Sequence, residues 1–228
     1  MNSVEHPCSR MLFRQLSHLF GWTVNRTAKL LLHREAYETQ EQLRELYYQH
    51  RNAIKSDVPS ILVDALLECE DHRFHSHRGV DLFATIRALI KTLSGCGIQG
   101  GSTVEQQFIR TITNRREKTI RRKIREICLA TIVEDVIPKE EIPALYLLVA
   151  YYGWRMNGLL EAYRRLNLQP KSLSSHDAAA IVARLKYPEP KNAPAWRANQ
   201  ICQRKEHIIQ LLQLRRRHGS ERGKNDFV

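Results

Sequence analysis

The stretch "ECEDHRFHSHRGVD" (Glu68–Asp81) ends an apolar run, "ILVDALLECED" (Ile61–Asp71), and its reading decides the fold. The run reads as a buried helix, and Glu70 and Asp71 stand where it gives out. Successive helical residues point about 100° apart, so the two carboxylates cannot face the same way. A carboxylate at such an edge is half desolvated, which raises its proton affinity and makes it a better base. The histidines that follow form H-x-x-H-x-H (His72, His75, His77). A metal reading needs further ligands, and no Cys or Asp/Glu set completes a tetrahedral cage, so no protein-built metal site is expected. His77 is expected to hydrogen-bond within the structure or toward a substrate, and His72 and His75 to lie at the surface. The residues of this stretch alone favour a solvated polar turn.

Outward from this stretch the chain is helical. "YETQEQLRELYYQHRNA" is polar and helix-prone, and "SDVPS" punctuates it, with Ser56 or Asp57 as N-cap and Pro59 in a first turn. "GCGIQGGS" is a loop. Helical spacing resumes from Thr119 to Ile137, with Ile120, Ile124 and Ile127 on one stripe, and Pro138 stops it. "KEEIPALYLLVAYYG", "SSHDAAAIVARL" and "RANQICQRKEHIIQLLQLRRR" predict three more helices, the last two separated by the proline-rich turn "YPEPKNAPAW". No alternating strand run or internal repeat stands out. The predicted class is all-α.

The 228 residues suffice for one domain with arms, and a formal net charge of +12 points to an anionic partner: nucleic acid, an acidic membrane surface or a phosphorylated substrate. The five cysteines (Cys8, Cys69, Cys96, Cys128, Cys202) are scattered, so neither a zinc cage nor a disulfide framework is expected. No apolar run approaches the roughly 18 residues of a spanning helix. "RMLFRQLSHLFGW" is too broken by Arg14, Gln15 and His18 for a signal peptide, yet Leu12, Leu16, Leu19 and Phe20 share one helical face. Such a basic amphipathic helix lies on a membrane surface or packs on its own domain.

Two further stretches carry chemistry. "GGSTVEQQ" (Gly100–Gln107) offers backbone amides, two hydroxyls and two carboxamides for a partner rich in hydroxyls or phosphate oxygens; it also fits a glycine hinge before a capped helix. "KTIRRKIRE" (Lys118–Glu126) sets Arg122, Lys123 and Glu126 on one side of a helix. Arg122 and Glu126, four apart, make a surface ion pair, or beside phosphate the cations neutralise a leaving group.

Together these stretches resemble the peptidoglycan glycosyltransferases of glycosyltransferase family 51, which include monofunctional transglycosylases and the glycosyltransferase domains of penicillin-binding proteins. The first motif, E-D-x-x-F-x-x-H-x-G, is Glu70, Asp71, Phe74, His77 and Gly79. The second, G-x-S-T-x-x-Q-Q, is Gly100, Ser102, Thr103, Gln106 and Gln107. The third, R-K-x-x-E, is Arg122, Lys123 and Glu126. A fourth is partial, with Leu148 where the family usually has asparagine; Glu105 likewise replaces a usual Thr or Ser. The likeness runs from about Ile61 to Leu214, and three ordered motifs make it specific.

The resemblance implies polymerisation of lipid II by inversion into β-1,4-linked glycan strands, with release of undecaprenyl diphosphate. Glu70 matches the general base and Glu126 the second carboxylate. Asp71, Phe74, His77, Ser102, Thr103, Gln106 and Gln107 are candidate substrate-binding residues. Arg110, Lys118, Arg122 and Lys123 are candidates for holding pyrophosphate. A divalent cation, Mg or Mn, is implied, held mainly by the pyrophosphate. The implied fold is partly lysozyme-like, with a helical head and a smaller jaw at the bilayer, to which "LFATIRALIKTL" (Leu82–Leu93) with Arg87 and Lys91 would belong. The expected organisation is an N-terminal helical arm over 1–55, a catalytic domain over 56–217 and a mobile polar tail over 218–228, with no room for a transpeptidase domain. The expected location is peripheral, on the outer (periplasmic) face of the bacterial inner membrane, with lipid II, the growing strand, an anionic membrane surface and other cell-wall proteins as partners. Two alternatives stand beside this: a catalytically altered relative acting on another polyprenyl-linked sugar, and a basic helical nucleic-acid-binding protein using "RREKTIRRKIRE" and "LRRRHGSERGK". No nucleic acid is expected, because neither run interleaves aromatic residues.

Overall fold

Caps and prolines set the helix boundaries. Ser174 accepts from the Asp177 amide while the Asp177 carboxylate accepts from the Ser174 amide, a reciprocal box that opens one helix. Thr103 and Thr119 each accept an amide three residues on and open two others. The computed structural model describes residues 7–94, 101–115, 117 and 119–225, with the backbone alone for 7–10, 13, 89, 91–93 and 218–225. Among these the helices are α1 (Pro7–Leu31), α2 (His33–Ser56), α3 (Ser60–Glu70), α4 (Leu82–Leu93), α5 (Val104–Thr113), α6 (Ile120–Ala130), α7 (Ile142–Val149), α8 (Leu159–Leu166), α9 (Ser175–Lys186) and α10 (Ala195–Asn225). The predicted helical class holds.

Four local readings are corrected. Neither Ser56 nor Asp57 caps α3. Ser56 ends α2, and α3 starts at Ser60 behind an extended Pro59 that makes no side-chain cap bond; Val58, before the proline, is disfavoured in the helical region. Helix α6 ends at Ala130 rather than before Pro138, because the β-branched run Thr131–Val133 gives way to a 3-10 turn at Val133–Asp135. The helix read through Gly153 stops at Val149, and an antiparallel pair follows, β1 (Tyr151–Gly153) and β2 (Met156–Asn157), too short to show a period of two. Helix α10 continues through the segment read as a tail from His218.

The chain forms two compact units, Met1–Gln49 with Arg73–Ile142, and His50–His72 with Pro143–Val228. In the first, Val80, Val104, Phe108, Ile109, Leu129 and Ile132 build the core. The isoleucine stripe of α6 is not part of it: Ile120 and Ile124 are exposed, and the opposite side turns Glu126 and Leu129 inward. Helix α4 likewise exposes Ile86, Arg87 and Ile90; the side chains of Leu89, Lys91 and Leu93 lie outside the described residues. In the second unit α3, α9 and α10 pack on one another through Leu62, Leu66, Ile181, Val182, Ile208 and Leu212. Buried Tyr152 donates to the Leu147 carbonyl at 2.6 Å.

Gly79 ties the first unit together. Its carbonyl accepts from Thr103 at 2.8 Å, so the loop after Phe74 is fastened to the start of α5. Its φ is +69°, and a Cβ there would lie 2.5 Å from the Ala130 carbonyl oxygen. Only glycine meets both demands. Gly79→Ala should therefore lower the unfolding free energy by at least about 1–3 kcal/mol, the cost of a strained left-handed residue, with the clash added. An unchanged urea midpoint would contradict this account of the loop.

Candidate active site

Helices α5 and α6 of the first unit assemble a charged cluster from the second and third motifs. Glu126, 3% exposed at its side chain, accepts four hydrogen bonds. Arg110 gives two of them, Nε to Oε2 at 3.0 Å and Nη2 to Oε1 at 2.9 Å. Arg122 Nη1 donates to Oε2, and Lys123 Nζ to Oε1 at 2.8 Å. Lys123 spends its other two protons on Ser102 Oγ (2.9 Å) and Gln106 Oε1 (2.6 Å). Thr119, as N-cap of α6, holds the Arg122 amide, and Arg122 Nε also donates to the Glu117 carbonyl.

The electrostatics follow from this geometry. Burial pushes the Glu126 carboxyl upward, but the hydrogen bonds and charges of Arg110 and Lys123 outweigh it and hold the group below its ordinary value. Burial pulls the Lys123 ammonium down, and the two guanidiniums add to that against Glu126, leaving it below the usual lysine range. Three cations (+3) on one carboxylate (−1) leave an excess of +2, from Arg110, Arg122, Lys123 and Glu126. Four donors fill the lone-pair directions of Glu126, so its oxygens do not fit as ligands of a divalent cation. Gln106 is buried, and its Nε2 has no hydrogen-bond partner among the described residues.

The other carboxylate, Glu70, belongs to the second unit as the last residue of α3. Arg204 of α10 donates through Nη2 to its Oε1 at 2.7 Å, and both side chains are about 15% exposed, at 15% and 16%. The Cys69 thiol also points at Oε1, at 3.6 Å. Burial and the neighbouring carboxylate push that thiol up to about 12, so it remains a protonated donor. The sequence reading missed Arg204. A signal was present: the cation lies three residues after Ile201 and four before Ile208, on the buried edge of α10.

The remaining predicted residues divide by place. Asp71 is buried as the C-cap of α3. Phe74 and His77 lie in the core of the first unit, 6.1 Å apart edge to face. His72 and His75 are exposed. Thr103 is the buried N-cap of α5; Ser102 and Gln107 are half-buried beside it. Gly100 and Lys118 lie outside the described residues. Glu105, the departure from the second motif, is fully buried and paired with Lys139 at 2.5 Å. Lys139 also donates to Glu134 (2.6 Å) and the His77 carbonyl (2.9 Å), and lies 4.1 Å from the Phe74 ring centroid. Burial alone would lower this lysine, but the two glutamates raise it above its ordinary value. Leu148, the other departure, is buried in α7.

A buried carboxylate ringed by cations, with hydroxyl and carboxamide groups beside it, is an arrangement chemically suited to oxyanions and hydroxyls. The transglycosylase family model matches residues 38–213, and the chain belongs to that family. It is similar to penicillin-binding protein 1A of Haemophilus influenzae, 42% identical over 120 residues, 52% of this chain and 14% of that protein. Penicillin-binding protein 1F of Bacillus subtilis is 27% identical over 190 residues, 81% of this chain and 26% of the relative. The monofunctional glycosyltransferase of Staphylococcus aureus is 34% identical over 113 residues, 50% of this chain and 42% of the relative. The chain thus spans less than half the length of these curated relatives.

The depressed Glu126 carboxyl has a pH signature. Its stabilisation is fully present above the ordinary value near 4.5 and is lost as pH falls through the lower folded value. Glu126→Gln leaves three cations facing one another and should cost roughly 2–4 kcal/mol at pH 7, the lower end reflecting partial exposure of Arg110 and Lys123. Urea denaturation from pH 6 to 3 should show a steeper acid loss in the wild type than in the variant. Parallel curves would remove Glu126 from this role.

Proposed function

We propose that the chain is a peptidoglycan glycosyltransferase that polymerises lipid II into β-1,4-linked glycan strands with inversion. The observation that carries this reading is the +2 excess at Arg110, Arg122, Lys123 and Glu126, beside the unpartnered donor of Gln106. Such a charge matches a diphosphate leaving group better than a neutral sugar or a single carboxylate.

In the proposed reaction the 4-hydroxyl of the acceptor attacks the anomeric carbon of the donor strand. Its proton passes to the Glu70 carboxylate as the new carbon–oxygen bond forms. The old bond to the diphosphate breaks, and its electron pair leaves on the diphosphate oxygen, whose charge Arg110, Arg122 and Lys123 meet. Lys118, four residues before Arg122, is a further candidate for the diphosphate from the resemblance alone. Glu126 keeps those cations in place and ionised. Ser102, Gln106 and Gln107 are the groups offered for hydrogen bonds to the substrate, while Thr103, the buried N-cap of α5, ties their loop to Gly79, and Phe74 and His77 pack in the core of the same unit. Arg204 holds the Glu70 side chain through its hydrogen bond to Oε1. A divalent cation, Mg or Mn, would be carried on the diphosphate oxygens, since Glu126 offers it none. The substrate's polyprenyl tail stays in a bilayer, so the chain would work peripherally on the outer face of the bacterial inner membrane, beside other cell-wall proteins. No helix among the described residues is long and apolar enough to cross a membrane.

The test is extension of labelled lipid II by the purified chain, with Mg or Mn present. Glu70→Gln keeps the shape of the side chain but removes its capacity to take a proton, and should slow polymerisation by about 10²-fold or more with the unfolding midpoint preserved. Polymerisation at the wild-type rate by that variant, or none by the wild type, would sink this reading.

A further inference from the structure

Helix α1 is built inside out. The side that packs on the first unit is small and polar: Ser17, Gly21, Asn25 and Ala28, spaced 4, 4 and 3 apart, are buried. Gly21 has no room for a Cβ, which would lie 2.6 Å from the Arg78 carbonyl oxygen. Asn25 donates to the Thr131 carbonyl at 2.8 Å and to Asp135 at 3.0 Å. The large apolar residues are on the other side. Leu12, Leu16, Leu19 and Leu30 are 56%, 45%, 60% and 81% exposed, and Trp22 is 46% exposed. With Thr23 and Arg26 these leucines follow a 4-3-4-3-4 spacing, which keeps them on one edge of the helix. A helix that only packed on its own domain would turn the leucines inward.

The polar groups on that edge suit a lipid surface. Thr23 and Thr27 return their hydroxyls to the Phe20 and Thr23 carbonyls at 2.8 and 2.9 Å, so neither needs water. The Arg26 guanidinium lies 4.5 Å over the Trp22 ring, an arginine and an indole stacked where a headgroup layer begins. From His6 to Arg34 the sequence has no acidic residue and carries five cations; Lys29 pairs with Asp135 and Arg34 with Glu38, while Arg26 stands on the leucine edge. A parallel second copy along this edge would set Arg26 against Arg26. An anionic bilayer supplies acyl chains for the leucines and phosphates for the cations.

We infer that α1 lies in the plane of an anionic lipid surface, with Leu12, Leu16, Leu19, Trp22 and Leu30 seated among the acyl chains and Arg26 against the phosphates. These residues are outside the proposed catalytic machinery. The inference adds to that reading a specific element that keeps the chain beside its substrate's tail.

The full chain is floated with phosphatidylcholine vesicles with and without phosphatidylglycerol. Leu16→Glu with Leu19→Glu, both exposed, should weaken partition to anionic vesicles about tenfold or more, with helical circular dichroism and lipid II polymerisation in detergent unchanged. In a Trp154→Phe/Trp196→Phe background, Trp22 emission should shift to the blue on binding and be quenched by brominated acyl chains. Wild-type partition of the leucine variant, or an unquenched Trp22, overturns the inference. So does light scattering that finds a dimer lost in the leucine variant without vesicle binding, which would assign the edge to a second copy. Binding as described by a chain that polymerises no lipid II upholds the inference and removes the function proposed above.

Discussion

The Glu126 carboxylate is the constraint on which the charged cluster depends. Three cations gathered from the end of α5 and the first turn of α6 would repel one another without it. Its burial makes each of its four hydrogen bonds stronger than at a surface, and makes the loss of any partner costly. A single acid thus fixes the position of both helices' cations. The cations are organised before any anion arrives, so a ligand meets charges that need little rearrangement.

A second buried acid in the same unit obeys the same physics to a different end. Glu105 replaces a small hydroxyl residue of the motif and is fully buried, a position that ordinarily excludes a carboxylate. Lys139 neutralises it, and Glu134 shares that lysine. The ring of Phe74 and the carbonyl of His77 complete the lysine's surroundings. The two aromatic residues of the first motif therefore act, in this unit, through a buried ion-pair network behind the second motif. A departure that looks disruptive in a motif alignment is absorbed by a neighbour 34 residues away in sequence.

Much of this was legible in the sequence. The helices of "ILVDALLECED" and "SSHDAAAIVARL" follow from apolar spacing, and the third motif's spacing places Arg122 and Glu126 on one side of α6. Arg110 was legible only through the family resemblance, because its pairing with Glu126 joins two helices across a loop. Arg204 was hidden for the same reason: 134 residues separate it from Glu70, and no local period reports such a pairing. The isoleucines of α6 misled in the other direction. A stripe at helical spacing predicts burial only if the rest of the helix has nothing to bury, and here the charged side of α6 carries Glu126 inward. The same lesson holds for α1, where leucine spacing marks the outward edge and Gly21, Asn25 and Ala28 mark the packed one.

The two candidate carboxylates differ in what surrounds them. Glu126 has every lone-pair direction occupied by a cationic donor, and a proton offered to it would have to displace one of them. It is a poor base and a good counter-charge. Glu70 accepts from Arg204 on Oε1, beside the Cys69 thiol, which remains protonated. On the proposed reading, environment divides the labour between two residues of identical side-chain chemistry, as it does wherever one carboxylate must accept a proton while another must keep its charge.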